Sequence, residues 1–197
     1  MVNVLPIVLS GGQKYAQRGT PLSTGTKLFC LSGDVAVPGL YEVEFGLSLG
    51  QLIDLAGGTK GRSKIRAILI GGAAGSFVGP NHLDMPLTFE GTSERNVNLG
   101  SGVIMPFIEG TNFLDVVQRI AQFFRDESCG QCVPCRVGTM RQEEALTRSN
   151  GKPHLEHDIL LDLEKVMADA SICGLGHTAA KAVQSALELG LFNQEGR

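Results

Sequence analysis

Three cysteines crowd into residues 129–135, in the run Glu127-Ser-Cys129-Gly-Gln-Cys132-Val-Pro-Cys135-Arg136. Their spacing is C-x2-C-x2-C, and a fourth cysteine stands far downstream in Ile172-Cys173-Gly-Leu-Gly176. A loop this compact can wrap three thiolates around one centre. Three close thiolates and one remote one are a common way to hold a [4Fe–4S] cube, each iron taking one sulfur. The neighbours suit that reading. Gly130 lets the backbone approach closely. Pro134 stands where a helix starts, its φ already set, and the N–H groups of that first turn would temper thiolate charge. Arg136 would add a cation, and Gly174 and Gly176 would permit the same close approach at Cys173.

Two other readings of the four cysteines stay open. Structural zinc more often uses two C-x2-C pairs or histidines at set spacing; His177, four residues after Cys173, leaves a mixed site possible. A dithiol redox motif needs only two of the cysteines and leaves Cys173 without a role. The fifth cysteine, Cys30, reads as a small apolar residue in a strand. An odd cysteine count argues against a disulfide framework and for a reducing, cytoplasmic setting. The apolar stretch from Met1 to Ser10 lacks a basic leader and does not read as a signal peptide.

Composition removes several function classes. Hydrophobic residues make up 43% and charged residues 19%, and the net charge is -3. That balance supports a folded core and offers no basic excess for nucleic acid. No apolar run reaches the ~18 residues of a membrane span. Trp is absent and aromatics are 6%, which disfavours base-stacking platforms. Glycine is abundant, 26 of 197 residues, so much of the chain turns tightly.

The pattern changes near residue 110. Residues 1–26 read as a connecting arm, with one possible strand from Val4 to Leu9 before Gly and Pro interrupt it. From Lys27 the signals are β: Leu28 to Leu31, then Leu40 to Phe45 across a turn, then Ile65 to Ile70, then Val103 to Met105. Between the second and third, Leu49, Leu52 and Ile53 recur at helical spacing, with Ser48 as N-cap and Gly57 as stop. The segment 71–100 is Gly-rich and shows no periodicity to assign. The order suits a small β-grasp, ubiquitin-like domain over residues 27–109. Four amphipathic helices follow in residues 110–197. The first carries Phe113, Val116, Val117, Ile120, Phe123 and Phe124 on one stripe, with Asn112 as N-cap. The second runs from about Arg136 to Arg148. The third runs from about Leu155 to Ala170, with Ile159, Leu160, Leu163, Val166 and Met167 inward. The fourth runs from about His177 to Leu189, with Ala179, Ala182, Val183, Ala186 and Leu187 inward. Short connections make this a four-helix bundle, and the class is α+β.

The remaining motifs are bland. Gly71-Gly-Ala-Ala-Gly75-Ser-Phe-Val-Gly79 does not match G-x-G-x-x-G and reads as a surface loop. Gly25-Thr26-Lys27 lacks P-loop spacing. His154 and His157 read as solvated helix residues.

The run Glu127-Ser-Cys-Gly-Gln-Cys-Val-Pro-Cys-Arg-Val-Gly-Thr139, with Ile172-Cys-Gly-Leu-Gly176, resembles the C-terminal half of the flavin-bearing, NADH-oxidising subunit of respiratory complex I. The same module occurs in NAD-dependent formate dehydrogenases and in the diaphorase subunits of hydrogenases. Gly25-Thr-Lys-Leu-Phe-Cys-Leu-Ser-Gly33 and Pro38-Gly-Leu-Tyr-Glu-Val43 resemble the soluble-ligand-binding β-grasp (SLBB) domain of that family. The resemblance implies a [4Fe–4S] cluster on Cys129, Cys132, Cys135 and Cys173 that takes electrons from FMN reduced by NADH and passes them to further iron–sulfur subunits. Family members bind FMN and NAD on a large N-terminal domain that this sequence does not include. The expectation is therefore either a piece of a longer protein or a split subunit, with no NADH oxidation by itself. The rival function is a non-enzymatic docking module in which a cluster or zinc only staples the helices.

Overall fold

The computed structural model describes residues 2–149 and 156–192. Along the chain the elements begin with α1 (Val4–Ser10), α2 (Gly12–Tyr15), β1 (Thr26–Leu31), β2 (Gly39–Glu44), α3 (Leu49–Leu55), β3 (Ile65–Ile70), β4 (Ser76–Val78) and α4 (Phe89–Glu94). They continue with β5 (Val103–Ile108), α5 (Phe113–Glu127), α6 (Val133–Arg148), α7 (His157–Ala170), α8 (Gly174–Thr178) and α9 (Lys181–Glu188). The protein is thus mixed α/β. It divides into two compact units: Met1–Gly71 with Pro80–Ile108, and Gly72–Gly79 with Glu109–Arg197.

In the first unit, β1 and β2 form an antiparallel hairpin whose register runs from Thr26↔Glu44 to Leu31↔Gly39. On its other edge β1 pairs in parallel with β5, Cys30 opposite Val103. β5 pairs antiparallel with β3, Ile70 opposite Ile104. Strands β2, β1, β5 and β3 therefore lie in that order. The helix α3 starts where expected. Ser48 Oγ accepts from the Gln51 N–H at 3.2 Å, and the Gln51 side chain accepts from the Ser48 N–H at 2.9 Å. This reciprocal capping box satisfies two donors that a helix start leaves unpaired. Leu49, Leu52 and Ile53 of α3 are buried, as are Phe29, Leu31, Ile68, Ile70 and Ile104 of the sheet. Ala67–Ile70 of β3 are buried on both faces without interruption, whereas Arg66 is exposed.

One sequence expectation fails in this unit. Residues Val4–Ser10 form a helix, not a strand, and bury none of their side chains. A helix satisfies its backbone groups within itself, whereas a strand needs a neighbour. The stretch 71–100, which periodicity left unassigned, is divided between the units: the 3-10 turn at Gly72–Ala74 and β4 belong to the second, and the 3-10 turn at Pro80–His82 and α4, capped by Thr88, belong to the first. Its order comes from single apolar anchors, Met85, Leu87, Val97 and Leu99, each buried. Within residues 1–26 the chain is tied to α4 of the same unit. Glu90 accepts hydrogen bonds from the Thr20 hydroxyl at 2.7 Å and the Ser23 hydroxyl at 2.5 Å, and Ser23 is buried.

In the second unit α5 packs on α6, α6 on α7, and α9 on α5, α7 and β4. Phe113, Val117, Ala121 and Phe124 of α5 are buried with Leu146, Leu160, Met167, Ala182, Val183 and Ala186. The Phe77 N–H donates to Ser185 Oγ at 2.8 Å, and the Phe77 ring meets Phe113 edge-on. The fourth expected helix is broken in two. The Ala179 carbonyl, which would continue a single helix, accepts instead from Gln142 Nε2 of α6 at 3.1 Å. The inward face of α7 is narrower than expected: Leu160 and Met167 are buried, but Ile159 and Val166 are about half exposed. Leu155, where that helix was expected to start, lies outside the described residues, as does His154; His157 is exposed.

Candidate metal centre

Helix α5 ends at Glu127, and the chain passes through Ser128–Cys132 directly into α6. Gly130 takes φ 75° in this loop, a conformation that disfavours a side chain. Cys132 is the N-cap of α6, and Pro134 is the second residue of its first turn. Cys135, one residue on, is buried, 5% exposed. Cys173 occupies the matching place on α8, as its N-cap, just after α7 ends at Ala170. Cys129 and Cys173 are exposed. Two helix starts therefore carry three of the four cysteines, where free N–H groups are available to sulfur.

These thiols are neighbours. Burial pushes the Cys135 thiol up, the Ser128 hydroxyl opposes that, and the negative charges of Cys132, Cys173 and Cys129 raise it further. Cys132 is pulled the other way. The backbone N–H of Ile172 is the chief cause, followed by the N–H of Cys135, and the Ser171 hydroxyl also favours the thiolate. The remote segment reaches the C-x2-C-x2-C motif, where a Cβ on Gly176 would stand 3.1 Å from Cys135 Cβ. Ser128 Oγ lies 3.3 Å from Cys135 Sγ and accepts from the Gly130 N–H at 3.3 Å.

Two flanking side chains hold the loops. Arg136 spends its guanidinium on the Gly130 carbonyl, at 2.7 Å, and so clamps the loop. His177 Nε2 lies 2.7 Å from the Ser171 carbonyl oxygen, which can only accept, so that nitrogen is its donor. It braces the turn before Cys173. Cys30 sits apart in β1, opposite Leu40 and Val103. Sequence reasoning missed Ser128 and Ser171, both adjacent to the cysteine motifs but unremarkable as residue types. Among the described residues, no three His, Cys, Asp or Glu side chains are grouped as a single metal ion would need them. A cube asks for something else: four thiolates on separate corners with donors around them. The four cysteines, one buried and two exposed, with Ser128, Ser171 and the N–H groups of Cys135 and Ile172, fit that demand.

Comparison with known proteins agrees. Residues 115–195 match the family model described as the NADH-ubiquinone oxidoreductase-F iron–sulfur binding region. The chain is 35% identical over 191 residues to the F subunit of the NADH-quinone oxidoreductase of Mycobacterium bovis, covering 95% of this chain and 43% of that protein. It is 32% identical to HndC, a subunit of the NADP-reducing hydrogenase of Solidesulfovibrio fructosivorans, covering 94% of this chain and 39% of that one. The crystal structure of an NAD+-reducing [NiFe]-hydrogenase in its H2-reduced state superimposes with TM-score 0.84 at 32% identity, over 99% of this chain and 34% of the other. The helical part of the chain is therefore an iron–sulfur binding region, and its cofactor is a [4Fe–4S] cluster. Over nearly its whole length the chain is similar to a part of the F subunits of NADH-quinone oxidoreductases and of their hydrogenase counterpart, and residues 115–195 carry the iron–sulfur binding region of that family model. It spans less than half the length of these relatives. Among the described residues no helix is long and apolar enough to cross a membrane.

Proposed function

We propose that Cys129, Cys132, Cys135 and Cys173 hold the [4Fe–4S] cluster, and that the chain relays electrons from an FMN- and NADH-binding domain to further iron–sulfur subunits. The observation that supports this reading is the packing of α8, which Cys173 caps, against the C-x2-C-x2-C motif: a Cβ on Gly176 would stand 3.1 Å from Cys135 Cβ. A bound [4Fe–4S] cluster supplies one-electron transfer. The protein's own part is to hold four thiolates and balance their charge. Cys135 anchors the buried side. Ser128 bonds its sulfur, Arg136 clamps the loop backbone, and His177 braces the turn that presents Cys173.

The exposed side offers a route for electrons. Cys129 and Cys173 face outward beside Val133, 58% exposed, and Ile172, 73% exposed. An apolar rim around outward thiolates suits close approach by a redox partner and exclusion of water between them. The flavin domain, by this reading, is supplied by the remainder of a longer protein or by a partner chain, and this chain alone does not oxidise NADH. Its setting is the reducing cytoplasm, where free thiols persist.

The finer architecture follows the same proposal. Residues 27–109 form a β-grasp domain of the soluble-ligand-binding type, supported by a parallel β1–β5 pair, antiparallel flanking strands and a single α3. Residues 110–197 form the cluster-binding four-helix bundle, and residues 1–26 connect to the flavin domain. An anaerobic preparation of the chain decides the central claim. It is brown, contains about four iron and four sulfide per chain, and gives a paramagnetic signal on reduction with dithionite. Stoichiometric zinc without sulfide in such a sample overturns the claim.

A further inference from the structure

Ser128 is the C-cap of α5, where the chain turns into the cysteine loop. Its N–H donates to the Arg125 carbonyl at 3.4 Å, and the Arg125 guanidinium in turn bonds Glu143 of α6. The residue is thus tied to both helices that flank the loop. Its hydroxyl has two partners. Oγ lies 3.3 Å from Cys135 Sγ, and it accepts from the Gly130 N–H at 3.3 Å.

Those two partners fix the direction of the contact with sulfur. A hydroxyl has one hydrogen to give and two lone pairs to offer. The Gly130 N–H can only donate, so it takes a lone pair and leaves the hydroxyl hydrogen for another acceptor. A cysteine that ligates iron is a thiolate and has no hydrogen of its own. The bond to Cys135 as a ligand therefore runs from oxygen to sulfur. Gly130 is also held from its other side, since its carbonyl accepts from Arg136 at 2.7 Å. Arg136 and Ser128 grip the same residue, and that grip keeps the hydroxyl beside the sulfur.

Taking Cys135 as a ligand, as proposed above, we infer that Ser128 donates a hydrogen bond to the Cys135 sulfur and thereby raises the reduction potential of the cluster. The physical basis is charge. Reduction adds an electron to the cluster and its four thiolates, and a donor on a ligand sulfur stabilises the more negative state more than the less negative one. Cys135 is buried, so little water competes for its sulfur and the bond is stronger for it. Ser128 acts through Cys135 and is a positioning residue.

The test uses the full chain, prepared anaerobically, and follows the cluster signal during a reductive titration. Ser128→Ala is expected to keep the iron and sulfide content of the parent chain, to shift the midpoint potential to more negative values, and to lose one exchangeable-proton coupling in the pulsed paramagnetic spectrum. Ser128→Thr, which retains the hydroxyl, is expected to hold the parent potential and coupling, and Ser128→Val, of the same shape without the hydroxyl, to follow Ser128→Ala. An unchanged potential in loaded Ser128→Ala or Ser128→Val protein overturns the inference while leaving the ligand assignment intact. So does failure of both to load iron while Ser128→Thr loads fully, which would assign the hydroxyl to assembly of the site. Iron and sulfide at the parent level in Cys135→Ala overturn the ligand assignment itself, and the inference with it.

Discussion

Gly138 of α6 has the Met167 side chain of α7 lying against its Cα: a Cβ at position 138 would stand 2.5 Å from Met167 Cγ and 2.6 Å from Sδ. Met167 is fully buried, and it lies one turn before the segment that carries Ser171 and Cys173. The packing of two helices and the placement of the remote cysteine are therefore one structural problem. Gly138→Val is expected to push α7 outward, costing about 1–3 kcal/mol by overpacking, and to lower iron occupancy. Gly138→Ala stays closer to neutral, because the flexible thioether can yield and alanine gains about 1 kcal/mol of helix propensity. Thermal unfolding with iron analysis of each variant checks this; equal iron content in parent and Gly138→Val would show that α6–α7 spacing does not govern the site.

Cys173→Ser is expected to lose the cluster and also to lower the melting temperature of the helical unit, because metal binding contributes folding free energy. Cys30→Ser is the control. It keeps its iron, although a hydroxyl in a half-buried strand position costs up to ~1–3 kcal/mol if unpaired. Iron loss from Cys30→Ser, with retention in Cys173→Ser, would reverse the ligand assignment.

Glu90 gives the first unit an acid sensitivity. Hydrogen bonds from Ser23 first, then from Thr20, hold its carboxyl below the ordinary value of 4.5. Since the folded pKa is the lower one, the stabilisation is complete above the unfolded value and disappears as pH falls through the folded value. Stability should therefore fall on acidification below that range, and Glu90→Gln should flatten this part of the profile while weakening protection of residues 20–23 in hydrogen exchange. An identical acid profile in Glu90→Gln would assign the sensitivity to another carboxylate.

Calorimetry of the chain with NADH and with FMN is expected to show no saturable binding. Dinucleotide phosphates need a strand–turn–helix cradle of N–H groups, and the Gly-rich run 71–79 forms instead a 3-10 turn and the short strand β4. Joining the chain to a flavin domain of the family should make the cluster reducible by NADH. Tight one-to-one binding of either ligand to this chain alone would place a donor site within it.

Much of this protein was legible in its residues. The spacing of Cys129, Cys132, Cys135 and Cys173 pointed to the chemistry, because ligand geometry for a cube is set by residue type and separation along a short loop. The strands β1, β2, β3 and β5, the α3 cap at Ser48 and the stripe of α5 were also readable, since alternation, helical period and capping are local properties. What local pattern could not decide is whatever depends on a distant partner. Val4–Leu9 has apolar residues enough for a strand but folds as an exposed helix. Residues 71–100 take their order from scattered anchors such as Met85 and Leu99, which carry no period. At the break between α8 and α9 the Ala179 carbonyl accepts from Gln142, a residue of another helix. At the site, only tertiary structure set Gly176 of α8 against Cys135 and turned Arg136 toward the Gly130 carbonyl. Sequence spacing specifies which atoms can bind a cluster; the donors that balance its charge come from backbone and hydroxyl groups that every chain possesses, and only the fold decides which of them point at sulfur.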